Sequence, residues 1–127
     1  MCATFRDIHK VEVEPHDRML FADPGVVGSG GNSGFQALNL VVQFGARRIV
    51  LIGFDMHAGN GVHWYGPNNG RHMRNPTDFS FVHWRDAFAR SAPKLKRMGI
   101  EVINSSADSA LICFERLPLH EVLKKWV

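Results

Sequence analysis

From Gly34 onward, apolar side chains return at Ala37, Leu38, Val41 and Val42, laying one stripe along a helix while Gln36, Asn39 and Gln43 fall off it. This helix starts near Ser33 and stops at Gly45, which accepts the left-handed backbone of a helix end. After Ala46-Arg47-Arg48 the pattern changes, and Ile49-Val50-Leu51-Ile52 is continuously apolar, as in a strand covered on both faces. Gly53-Phe54-Asp55 lies where that strand runs out. A second helix opens near Thr77 or Asp78, with Trp84, Ala87, Phe88, Ser91, Leu95 and Met98 along one side. Pro93 lacks the amide of a helix interior, which predicts a kink there or a new start at Ser91 or Ala92. Gly99 ends the helix, and Ile100 to Asn104 reads as the next parallel strand.

The flanks are less regular. Val11-Glu12-Val13 alternates, and Met19-Leu20-Phe21-Ala22 is a short apolar run before Asp23-Pro24-Gly25, so each is a weak strand signal, with a turn at Pro15 to Asp17 between them. The chain closes with Ala110 to Phe114, then Pro118 in the first turn of a terminal helix whose buried stripe is Leu119, Val122, Leu123 and Trp126. Strands alternating with helices predict an α/β class, a partial Rossmann-like three-layer fold whose mainly parallel sheet has about three to four strands. With 127 residues, 45% of them hydrophobic, one α/β domain spanning residues 1–127 is expected.

Composition narrows the partners. The net charge of +3 is mild, and Arg47-Arg48 and Lys94-Leu95-Lys96-Arg97 read as solvated surface, so no nucleic-acid partner is expected. No apolar run reaches the length of a membrane span and Met1 to Lys10 lacks the apolar core of a signal peptide, which makes a cytoplasmic location the expectation. Cys2 and Cys113 are too few for a disulfide scaffold and lack metal-ligand spacing, and Cys113 reads as a small core residue.

Candidate chemistry gathers around the first helix. Gly28, Gly30, Gly31 and Gly34, with Asn32 and Ser33 between them, allow close backbone approach and aim free helix amides at an anion. A tight turn capped by Asn32 or Ser33 explains part of the pattern. The spacing is neither a dinucleotide fingerprint nor a P-loop, for no Lys-Ser or Lys-Thr comes after it. Asp55 stands at the carboxyl end of a strand, where ligands bind in open α/β sheets. Asn104, Ser105 and Ser106 end the next strand and are suited to lining a nucleotide pocket or to capping the segment after them. Residues 57–77 form a long aperiodic loop containing His57, His63, Trp64, Tyr65, Arg71, His72 and Arg74, which reads as an active-site lid. Its histidines suit proton transfer or phosphate binding. With Asp55 they also suit Zn, Fe or Mn, but no HxH or HExxH spacing supports a metal and none is expected.

At GGNSGFQALNL and GARRIVLIGFDMH the chain resembles a domain shared by phage and bacterial proteins of uncharacterised function and, more distantly, by bacterial lipo-oligosaccharide sialyltransferases. The resemblance runs from about Asp23 to Leu123 and corresponds to the C-terminal half of that domain. It implies a nucleotide-sugar or related phosphorylated ligand. Asn32, Ser33 and Gly34 match the helix start that contacts the donor, and Asp55 matches the acid closing the strand. His57 and Tyr65 fall near two tyrosines that hold the leaving phosphate, and His72 lies nearest the histidine that acts as general base. Glycosyl transfer of this kind needs no metal or other cofactor. The missing N-terminal half implies a partner that supplies it, or a homo-oligomer. Two other functions remain open: a Mg²⁺-dependent diphosphokinase, because pterin diphosphokinases are also distantly similar, and a non-enzymatic phage-derived assembly domain.

Overall fold

The computed structural model describes residues 9–59, 61, 63, 65–70 and 74–127. In chain order the elements are β1 (Glu12–Glu14), β2 (Val26–Gly28), α1 (Ser33–Gln43), β3 (Arg48–Leu51), α2 (Asp78–Arg97), β4 (Glu101–Asn104), β5 (Glu115–Arg116) and α3 (Leu119–Trp126). Every strand pairing among the described residues is parallel, giving the α/β class that the alternation predicts. The strands form two sheets: β1 and β2 pair with Val13 opposite Val27, and β3-β4-β5 pair with Ile49 opposite Val102 and Asn104 opposite Arg116.

The core lies between the helices and the three-stranded sheet. Phe35, Leu38 and Val42 of α1 meet Ala87, Phe88 and Leu95 of α2, closed by Leu51, Val102 and Leu111. Phe88 is the hub, with edge-on contacts to Phe35 at 5.3 Å, Phe54 at 5.9 Å and Phe114 at 6.3 Å between ring centroids. Such aromatic pairs add to simple area burial.

Thr77 caps α2 as the sequence suggests, its hydroxyl accepting from the Ser80 amide while Ser80 returns a bond to the Thr77 amide. The helix does not break at Pro93. A proline removes one rung of the ladder, and here its ring faces solvent while Ser91 and Leu95 face the core, so the remaining rungs carry the helix through.

Four other segments depart from the apolar pattern. Met19 to Ala22 is not a strand, and β1 pairs instead with Val26–Gly28. The reason is in α1, where Asn39 is wholly buried. Its carboxamide accepts from the Leu20 and Gly28 amides at 2.9 and 3.1 Å and donates to the Leu20 carbonyl at 2.6 Å. Gln43 continues the same seam, accepting from the Gly25 amide and donating to the Leu20 and Val26 carbonyls. Helix side chains thus take the backbone bonds that a strand partner would have made.

Ile52 lies beyond the end of β3 and is 59% exposed, while Ile49 and Val50 are half-buried, so this edge strand is not covered on both faces. In α3 only Val122 of the expected stripe is buried. Leu119 and Leu123 are exposed, and Trp126 is held by its indole N–H to Glu101 Oε2 at 2.8 Å. Ala110 to Phe114 form no strand, and β5 comes after them. Among the described residues, no helix is long and apolar enough to cross a membrane.

Candidate functional site

The amino end of α1 opens onto a cleft of about 740 Å³ whose wall includes Asn32, Ser33, Gly34, Asp55 and His57. Asn32 is the helix cap: its side chain accepts from the Phe35 amide at 2.9 Å and donates to the Gly30 carbonyl at 3.0 Å. The Asn32 carbonyl takes the Gln36 amide. The remaining first-turn amides, those of Ser33 and Gly34, have no intrahelical acceptor by helix geometry and belong to wall residues of the cleft.

The glycines before the helix serve packing. A Cβ on Gly31 would sit 2.9 Å from the Trp84 ring, and one on Gly34 would sit 2.8 Å from Phe54 Cε1. A Cβ on Gly28 would overlap the Arg18 carbonyl oxygen, and one on Gly30 the Phe35 ring. Gly31 also has φ +73°, a conformation that side chains disfavour. Gly30 and Gly31, expected at the ligand, are therefore turned onto protein atoms and do not line the cleft. Of the glycines in the motif, Gly34 does.

Across the cleft stands Asp55, half-buried, whose carboxylate makes no hydrogen bond or ion pair with a described residue. Its backbone is held firmly. Phe54 donates its amide to Ser106 Oγ at 2.8 Å and accepts from Ser109 Oγ, while the Asp55 carbonyl accepts from the Ala110 amide at 2.8 Å. Asn104, wholly buried, holds those serines in turn: its Nδ2 donates to Ser109 Oγ at 2.9 Å and its Oδ1 accepts from the Ser106 amide at 3.0 Å. Ser105 donates its hydroxyl to the Leu117 carbonyl. Asn104, Ser105 and Ser106, expected in the pocket wall, are instead behind it, and their polar atoms fix the loop that presents Asp55.

Met56 comes next in a left-handed conformation, φ 57°, with its carbonyl accepting from Arg85 at 2.7 Å. This turns the chain into His57. The His57 Nδ1 accepts from the Gly59 amide at 2.9 Å, which places the neutral ring's proton on Nε2. That nitrogen is enclosed and lies 3.3 Å from Asp108 Oδ2 without the alignment of a hydrogen bond. His57 lines the cleft, but in this arrangement neither ring nitrogen is presented to a ligand as a base.

Within the aperiodic loop, Gly61, His63 and Pro76 reach the cleft wall. Tyr65 does not: it is 59% exposed and stacks on His63 with ring centroids 4.9 Å apart, so it backs the histidine that faces the cleft. Asn68 Nδ2 lies 3.1 Å from His63 Nε2. Trp64, Arg71 and His72, the last of them the expected general base, lie outside the described residues.

The wall also contains Phe54, Phe81 and Trp84, the last two packed edge to face at 5.2 Å. The helical spacing of Trp84 reads as core, and only its half-buried position over Gly31 shows that it faces a cleft. Among the described residues Asp55 is the one carboxylate in the wall, and no group of three or more His, Cys, Asp or Glu is placed to hold a metal ion.

A second cleft, about 550 Å³, lies between the end of α2 and β4-β5 and is lined by Ala89, Ala92, Pro93, Val102, Cys113 and Phe114 among others. Burial pushes the Cys113 thiol up to about 11, which keeps it protonated and unreactive near neutral pH. The helix start at Ser33 and the carboxylate of Asp55 both belong to the first cleft. Comparison with protein-family models, with curated proteins and with solved structures finds no match to this chain.

Proposed function

We propose that the chain binds a nucleotide-sugar, or a related phosphorylated small molecule, in the cleft between the amino end of α1 and Asp55. One observation carries this reading: Ser33 and Gly34 at the helix start, Asp55, whose carboxylate has no partner among the described residues, and Trp84 line one cavity of about 740 Å³. That volume is in the range of small-molecule sites, and the wall combines apolar rings with a few convergent polar groups. The helix amides and dipole favour a phosphate group, an effect of about 0.3–1 kcal/mol for each charge near a helix end. Asp55 would accept a hydrogen bond from a ligand hydroxyl, and Trp84 with Phe81 offers a flat apolar surface to a base or sugar ring. Kinship with sialyltransferase-like glycosyltransferases is part of the proposal and rests on the motif resemblance.

Isothermal titration with CMP-sugars and with free nucleotides tests the reading. Saturable binding that Asp55→Asn weakens by about tenfold is the expected result. Absence of binding by every nucleotide and nucleotide-sugar would sink it.

A further inference from the structure

Away from the cleft, a small hollow of about 130 Å³ lies between the segment after β1 and the outer flank of α2. Its wall is Arg18, Met19, Phe21, Arg90, Ser91 and Lys94, none of which lines the cleft described above. Three of these six residues are cations, and none is an acid. None of the three forms an ion pair with a carboxylate among the described residues. The acids nearest in sequence are accounted for: Asp17 is bonded to His83 at 2.7 Å, and Asp86 offers Arg90 its carbonyl, not its carboxylate.

The cations are also held in place. Asp17 is tied to α2 through His83, and Leu20 to α1 through Asn39, so Arg18 sits on backbone pinned at both sides. Arg90 commits its Nε to the Asp86 carbonyl at 3.2 Å, and its two terminal nitrogens make no hydrogen bond to a described residue. The Lys94 ammonium is seated 4.8 Å from the centre of the Phe21 ring. Ser91, only 6% exposed, adds a hydroxyl that has no hydrogen bond to another described residue. The three cations and Ser91 border one hollow, and like charges on one hollow raise the local potential for an anion.

We propose that this hollow is a binding site for one small oxyanion, a phosphate or the phosphate end of an ester, held by Arg18, Arg90 and Lys94 above the Ser91 hydroxyl. Its volume matches about four water molecules at ~30 Å³ each, which admits a tetrahedral anion and excludes a nucleotide. Arginine forks and a lysine point charge are the side chains that recognise phosphate oxygens. The open rim, formed by the exposed Arg18, Arg90 and Lys94, allows an ester group to trail into solvent.

Isothermal titration of the full chain with inorganic phosphate, and separately with glycerol 3-phosphate, is the test, each against sodium chloride at matched ionic strength. Saturable phosphate binding is expected, lost by about tenfold or more in Arg90→Gln and in Arg18→Gln, and unchanged in Lys124→Gln, an exposed cation of α3 that lines neither cavity. Equal binding of glycerol 3-phosphate assigns the site to an esterified phosphate, and binding of phosphate alone assigns it to the free ion. Heats that chloride reproduces, or phosphate binding that survives both arginine substitutions, would overturn the proposal. Circular dichroism of the two variants, both at exposed positions, confirms that they fold and leaves a negative result meaningful.

Discussion

The carboxamide of Asn39 satisfies both backbone groups of Leu20, accepting from its amide at 2.9 Å and donating to its carbonyl at 2.6 Å. A helix side chain thereby acts as the neighbour that Leu20 lacks in any sheet. Because Asn39 also accepts from the Gly28 amide, it joins the segment before β2 to β2 itself and so sets the position of the turn that leads into α1. Asn39→Leu preserves volume but strands the Leu20 and Gly28 amides, while Gln43 still serves the Leu20 carbonyl. At about 1–3 kcal/mol for each of the two orphaned groups, a loss of roughly 2–6 kcal/mol is expected in urea unfolding. A loss below about 1 kcal/mol would show that the seam is not a structural joint.

Phe88 is fully buried and touches three other aromatic rings, so Phe88→Ala removes the piece that joins α1, α2 and the sheet. Thermal or urea unfolding should register a loss of about 3–5 kcal/mol. Phe79→Ala, at an 80% exposed position on the same helix, is the control and should change stability by under about 0.5 kcal/mol.

At Gly34 two effects oppose each other. Alanine is the better helix former by up to about 1 kcal/mol, but its Cβ would stand 2.8 Å from Phe54 Cε1. Phe54 is wedged against Phe88 and precedes Asp55, so it has little room to yield. Overpacking of this kind costs about 1–3 kcal/mol, so the clash wins, and Gly34→Ala is expected to lower both stability and ligand affinity. Unchanged unfolding together with unchanged affinity would mean that Phe54 moves freely.

Glu101 ties α3 to β4. Its carboxyl sits below the usual value of 4.5, chiefly because Lys125 bonds it at 2.6 Å, with the Trp126 indole contributing next. Lys125 is raised above 10.5 by Glu101 and Glu115. A lowered acid contributes stability above pH 4.5 that disappears as pH falls through its folded value, and a raised lysine contributes stability below pH 10.5 that disappears as pH rises through its own. The melting difference between the native chain and Glu101→Gln should therefore hold steady through the neutral range and shrink at both extremes. A difference independent of pH would assign the contact to packing alone.

Much of the architecture is legible in the chain. Of the stripe read along α1, Leu38 and Val42 are buried and Val41 is half-buried, while Ala37 is exposed and Phe35 is buried in its place; Gly45 and Gly99 close α1 and α2 with φ of +90° and +71°. Periodicity cannot show where a polar side chain stands in for backbone. Asn39 and Gln43 fall off the stripe yet bond to the segment before β2, and Met19 to Ala22 has strand composition yet Leu20 within it spends its backbone hydrogen bonds on them. The same applies at the cleft. The helix start and Asp55 are found from turn chemistry and strand position, whereas Asn104, Ser105 and Ser106 look like ligand groups and are spent inside the fold. Trp84 looks like core because helical spacing carries no sign of the glycine, Gly31, that holds its ring at the wall.

The central claim is that the amino end of α1 and Asp55 together receive a phosphorylated ligand. Amide-resolved NMR of the ¹⁵N-labelled chain, titrated with CMP, addresses it most directly. Saturable shifts of the Ser33, Gly34 and Asp55 amides and of the Trp84 indole N–H are the predicted result. No shifts at those groups, or shifts confined to Arg18 and the Arg90 to Lys94 turn, would contradict it.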